Sequence, residues 1–218
     1  MMASATRILA FGDSLTAGWT SFSSGPVSPF APHLQKALAD DHSIQADVTA
    51  VGQPGLAASQ ALHPLKRALH AHPNIDVCLL LLGANDLLGG GLDTKATDAT
   101  ISHLHSLHQT CHSSGAQTVA VGMLDHPMIA STSGGHTSLA AFNARIRAGA
   151  GADSFIDAQP LIAASSTSLW SEDRVHLVAS GYAEFGRALA TPLATILRQH
   201  KKHHTVDRHH NGSEKEGL

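Results

Sequence analysis

"VCLLLLGAND", Val77–Asp86, reads in two halves. The apolar run Val77–Leu82 has no polar interruption, and the chain then turns at Gly83 into an Asn-Asp pair. A strand with one wet face alternates apolar and polar residues, so this run points to a strand covered on both faces. Such strands belong chiefly to parallel sheets, where helical crossovers pack above and below. Cys78, inside the run, reads as a small buried hydrophobe.

Four further short apolar segments extend the pattern: Ile8–Phe11, Ile44–Val51, Thr118–Val121 and Ser154–Ile156. Stretches of helical character separate and follow them at Phe30–Ala39, Ala58–His72, Lys95–Ser114, Ser138–Ala148 and Gly181–Gln199. In the third of these Ile101, Leu104, Leu107 and Cys111 recur at helical spacing and form a core stripe. Strand and helix alternate throughout, which predicts an α/β fold: a five-stranded parallel sheet with helices on both faces. In such sheets ligands bind beyond the carboxyl ends of the strands.

The chain has 218 residues, 43% of them hydrophobic and 14% charged, which suits one globular domain with its own core. A formal net charge of −3 gives no electrostatic case for nucleic acid or an anionic membrane as partner. Two cysteines are too few for a disulfide framework. "MMASATR" lacks the apolar core of a signal peptide, and no run approaches the ~20 residues that span a bilayer. A soluble cytoplasmic protein is therefore expected. After Gln199 the apolar periodicity stops, and five of the 17 histidines fall in "HKKHHTVDRHHNGSEKEGL". This divides the chain into a domain, residues 1–198, and a disordered His-rich tail, residues 199–218. Nothing in the tail fixes a metal geometry, and no metal site is assigned. His105, His108 and His112 flank the helical stripe and read as solvated or partly packed.

Each strand's carboxyl edge carries polar or glycine residues. Asp13 and Ser14 follow the first strand, "VGQPGLAAS" with Gly55 the second, and Asn85 and Asp86 the third. Near the C-terminus "EDRVHLVASGY" places Asp173 three residues before His176. Singly, each has an ordinary explanation as a helix cap, a turn glycine, a turn former or a surface loop residue. Together they supply what acyl transfer needs. A serine hydroxyl becomes a nucleophile beside a base such as His176, and a carboxylate such as Asp173 fixes the imidazole tautomer. The N–H groups of Ser14 and Gly55 and the Asn85 amide can serve as oxyanion donors, each worth roughly 3–4 kcal/mol in the transition state.

The motifs resemble those of the SGNH (GDSL-type) hydrolase family. "FGDSLTAGW" is similar to its first block, with Ser14 at the nucleophile position, and "GQPGLAAS" to its second, with Gly55 at the oxyanion glycine. "LGANDLL" resembles the third block, which puts Asn85 at the oxyanion asparagine, and "DRVHL" the fifth, with Asp173 and His176. The blocks stand in family order from about Arg7 to Ala190. Gly52 is the rival for the oxyanion glycine; Gly55 is preferred because it directly precedes the small-residue stretch "LAASQAL" that opens a helix.

The resemblance implies a flavodoxin-like three-layer α/β/α sandwich and a serine esterase acting on small carboxylic esters without a cofactor. Asp13 and Asp86 then support the site loops, and Asp157 is the other carboxylate to weigh against Asp173. An acyltransferase passing the acyl group to an alcohol is the alternative within the chemistry. A flavodoxin-like binding module without activity is the alternative outside it. Substrate choice rests on the segments Thr20–Pro29, Leu87–Leu92 and Met123–His136, and the oligomeric state is left open.

Overall fold

The computed structural model describes residues 5–21, 26–90 and 94–210, the last ten by their backbone alone. Five strands form one sheet: β1 (Thr6–Gly12), β2 (Ala46–Gly52), β3 (Val77–Leu81), β4 (Gln117–Val121) and β5 (Ser154–Ile156). Their order is β2-β1-β3-β4-β5, and every neighbouring pair is parallel. All five residues of β3 are buried, with no alternation, as its uninterrupted apolar run requires.

The helices are α1 (Ser14–Ala17), α2 (Ala31–His42), α3 (Leu62–Ala71), α4 (Ala84–Gly90), α5 (Thr94–Ser113), α6 (Pro127–Ala130), α7 (Gly135–Gly149) and α8 (Ala179–His210). Short 3₁₀ turns stand at Ala58–Gln60 and Thr167–Leu169. Helix α2 packs on α8, while α3, α5 and α7 pack side by side, so helices cover the sheet in two separate layers. This is the flavodoxin-like three-layer sandwich. The α5 stripe lies as its spacing predicts, with Leu104, Leu107 and Cys111 buried and Ile101 at its edge. Cys78 and Cys111 are both buried free thiols.

The glycine-rich segment after Asn85 begins as a helix, α4, because Leu87 is buried and its N–H closes a turn on the Gly83 carbonyl at 2.9 Å. One reading needs adjustment, that of His108. His108 is only 1% exposed, and burial pushes its pKa down to about 4, so it sits in the core as a neutral imidazole. Helix α8 runs to His210, and residues 211–218 of the expected tail lie outside the described residues. No helix among the described residues is long and apolar enough to cross a membrane.

Candidate active site

Strand order reverses at β1, whose neighbours β2 and β3 carry the chain to opposite sides of the sheet. The crevice beyond the carboxyl ends at that reversal is where this architecture binds ligands. Ser14 stands there as the first residue of α1. The helix starts at that point because the Asp13 side chain caps it, accepting the Leu15 N–H at 2.9 Å. Ser14 is 9% exposed, and its Oγ lies 2.9 Å from His176 Nε2.

His176 Nδ1 lies 2.7 Å from Asp173 Oδ2, and the other carboxylate oxygen accepts the N–H groups of Val175 and His176, each at 2.9 Å. Partial burial acts to raise the Asp173 pKa, but hydrogen bonds from His176 and Val175 outweigh it and hold the carboxyl below its ordinary value. An antiparallel bridge between Trp170 and Leu177 closes the loop that carries the pair. The Trp19 ring lies 6.5 Å from that of His176, and the Trp19 carbonyl accepts the Tyr182 hydroxyl of α8 at 2.5 Å. Asp157, by contrast, accepts the Gln159 N–H on an exposed loop.

Residues 53–56, Gln-Pro-Gly-Leu, form a β-turn closed by Leu56 N–H on the Gln53 carbonyl at 3.1 Å. Gly55 has φ +75° there, the left-handed value that position i+2 of a type II turn demands. A Cβ on Gly55 would meet open space, so conformation and not crowding selects glycine. Gly52 differs: a Cβ there would lie 2.2 Å from Ala17 N and 2.5 Å from the Asp13 carbonyl. Its role is to let α1 lie against the end of β2. The N–H groups of Ser14 and Gly55 have no acceptor among the described residues.

Asn85 Nδ2 donates to Asp13 Oδ2 at 3.2 Å and to the Leu56 carbonyl at 3.1 Å. Asp86 accepts the Ala58 N–H at 2.9 Å and the Thr100 hydroxyl at 3.5 Å. These bonds tie together the loops after β1, β2 and β3. Asp13 is 1% exposed, and burial pushes its pKa up to about 7, with the neighbouring Asp86 charge adding to the rise.

The structure thus brings Ser14, His176 and Asp173 into one hydrogen-bonded chain; Asn85 bonds to Asp13, next to Ser14, and to the Leu56 carbonyl of the turn that holds Gly55, and Asp86 braces the same loop at Ala58. Sequence reasoning did not single out His126, which is buried against the same loop: its Nδ1 lies 3.1 Å from the Val175 carbonyl, and its ring 5.6 Å from that of Trp170. Its only local signal is the His-Pro step that opens α6.

Solved structures of similar fold include proteins named as esterases and one named as a lipase. A provisionally named arylesterase from Agrobacterium tumefaciens is 27% identical, with a TM-score of 0.64 over 88% of this chain and 99% of that one. The psychrotrophic esterase EstA from Pseudoalteromonas is 18% identical, with a TM-score of 0.68 over 88% of this chain and 99% of that one. A family 3 carbohydrate esterase from Clostridium thermocellum is 20% identical, with a TM-score of 0.64 over 90% and 98%. No curated protein matches significantly. The model of the GDSL-like lipase/acylhydrolase family matches residues 10–184, a span that runs from β1 into α8 and includes Ser14, Asn85, Asp173 and His176. The chain belongs to the GDSL-like lipase/acylhydrolase family and is a hydrolase of carboxylic esters.

Proposed function

We propose that the protein is a serine esterase that cleaves small carboxylic esters through an acyl-enzyme on Ser14. The observation that carries this is the unbroken contact chain from Ser14 Oγ to His176 Nε2, 2.9 Å, and from His176 Nδ1 to Asp173, 2.7 Å. Nε2 takes the hydroxyl proton as Oγ attacks the ester carbonyl, and Asp173 stabilises the imidazolium. Collapse of the tetrahedral intermediate expels the alcohol, which leaves with the proton from Nε2. Water, deprotonated by the same nitrogen, then attacks the acyl carbon and returns Ser14. The oxyanion is received by the N–H groups of Ser14 and Gly55, both without an internal acceptor among the described residues. Asn85 joins them when one of its N–H groups turns from the Leu56 carbonyl to the substrate oxygen.

The substrate class follows the arylesterase named among the relatives, at 27% identity, more closely than the carbohydrate esterase at 20%. Labelling with a fluorophosphonate, read by the mass of the peptide that contains Ser14, tests the nucleophile. The wild type is expected to label and the Ser14→Ala variant to stay silent in both labelling and hydrolysis. Wild-type-like turnover by Ser14→Ala would refute the mechanism. Aryl esters of increasing acyl length, compared with acetylated sugars and with an added alcohol as competing acceptor, then define the substrate and separate hydrolysis from acyl transfer.

A further inference from the structure

We infer that His126 is a positioning residue for the Asp173–His176 pair, acting through the hydrogen bond from its Nδ1–H to the Val175 carbonyl; this rests on the triad proposed above. The bond engages one particular peptide unit, the one that joins Val175 to His176. Its N–H donates to Asp173 Oδ1 at 2.9 Å, and its carbonyl accepts from His126 at 3.1 Å. Both ends of the plane from which the His176 side chain departs are therefore fixed, one by the triad's own carboxylate and the other by His126.

The tautomer follows from the partner. A carbonyl only accepts, so the proton of His126 sits on Nδ1 and Nε2 keeps its lone pair. Nε2 is buried with no hydrogen-bond partner among the described residues. A second proton would add a charge to a site only 1% exposed. Burial accordingly drives the His126 pKa down to about 4; the His176 charge acts in the same direction, against the Val175 carbonyl, Asp125 and Asp173. His136 of α7 pairs with Asp125 at 2.8 Å, and the Arg174 guanidinium turns away to the Pro127 carbonyl at 3.0 Å. His126 thus works as a neutral donor beside the imidazolium that forms in catalysis.

Two neighbouring contacts do not depend on the side chain at 126. The Met128 N–H reaches the Arg174 carbonyl at 3.1 Å, and Arg174 reaches Pro127. They hold α6 against the loop whatever residue precedes Pro127. What His126 adds is the donor on the Val175–His176 peptide and a ring against Trp170, whose Nε1–H is itself anchored on the Ala163 carbonyl at 3.0 Å.

Three substitutions separate these parts. His126→Asn places its amide N–H at the bond distance of Nδ1 from the backbone, His126→Gln places it one atom further, and His126→Phe keeps the ring without a donor. The expected result for Gln and Phe is a kcat lowered roughly tenfold to a hundredfold, the scale of a misplaced reacting group, with KM close to wild type. Asn is expected to restore most of that loss. Rates are normalised to the fraction of protein that labels at Ser14, which removes misfolded material. Wild-type kcat in His126→Phe, or an Asn variant as slow as Phe, overturns the assignment. A second measurement needs no variant: nitrogen NMR of histidine-labelled wild type should show His126 protonated at Nδ1, unprotonated at Nε2, and unchanged between about pH 5 and 8. A proton on Nε2, or titration in that window, also overturns it. A wild type that neither labels nor hydrolyses any ester would instead remove the triad, and the positioning role with it.

Discussion

Replacing Asp13 with Asn separates two things that its carboxyl does: it caps α1, and it ionises inside the core. Asn retains the cap, because its side-chain oxygen can accept the Leu15 N–H that Oδ1 now holds at 2.9 Å. It removes the ionisation. The Asp13 pKa rises from 3.8 to about 7 on folding, driven first by burial. The folded state therefore binds this proton more tightly than the unfolded chain. Stability from Asp13 is complete below pH 3.8 and is lost as pH rises towards about 7. A shift of this size corresponds to about 4 kcal/mol. The introduced amide also meets Asn85 Nδ2 donor to donor, a fixed cost that does not vary with pH. The assay is urea unfolding of wild type and Asp13→Asn across that interval. The stability of the variant relative to wild type should improve by about 4 kcal/mol between pH 4 and 8. His108 and His126 titrate in both proteins and cancel in the difference, and Asp173 is held below the window. A difference that stays flat with pH would refute the reasoning, since it would mean that Asp13 ionises in the fold as readily as in water.

Asn85→Ala should lower kcat by roughly a hundredfold to a thousandfold in steady-state ester hydrolysis, and a change confined to KM would make Asn85 a binding residue instead. Asp173→Asn should cost roughly a thousandfold or more, whereas Asp157→Asn should match wild type because its carboxylate serves the Gln159 N–H on an exposed loop; the reverse ordering of the two rates would overturn the choice of carboxylate. Gly52→Ala should destabilise by roughly 3 kcal/mol or more, since its Cβ would press on the α1 backbone, while Gly55→Ala should cost about 1–2 kcal/mol for its left-handed φ alone. Urea midpoints would show a wrong assignment of these glycines as an inverted order.

Much of the architecture was legible because the sheet is buried on both sides. An uninterrupted "VCLLL" has no other economical home than a central strand, and the α5 stripe declares its inward face by spacing alone. The polar residues at the strand ends were legible for the opposite reason: Asp13, Ser14, Asn85 and Asp86 interrupt apolar runs at the edge of a core. The short helices were not. Four residues in α1 and seven in α4 are too few to show a period, and each forms because of a cap or a buried neighbour supplied by the fold. His126 was invisible from sequence because its partner, the Val175 carbonyl, lies 49 residues away and carries no side-chain identity.

Ser14 and His176 are separated by 162 residues, and β1 occupies an inner position flanked by strands made after it. Strand β1 is made before either partner and waits for β3 before both its edges are paired, and long-range parallel pairing of this kind forms slowly. The hydroxyl meets an imidazole only after the segment leading into α8 has emerged and docked. On the proposed mechanism, chains that end before that segment hold Ser14 without His176 and are expected to be inert towards esters. In refolding, hydrolysis should return after the helical signal, because it times the closing of the last loop rather than the building of the sheet.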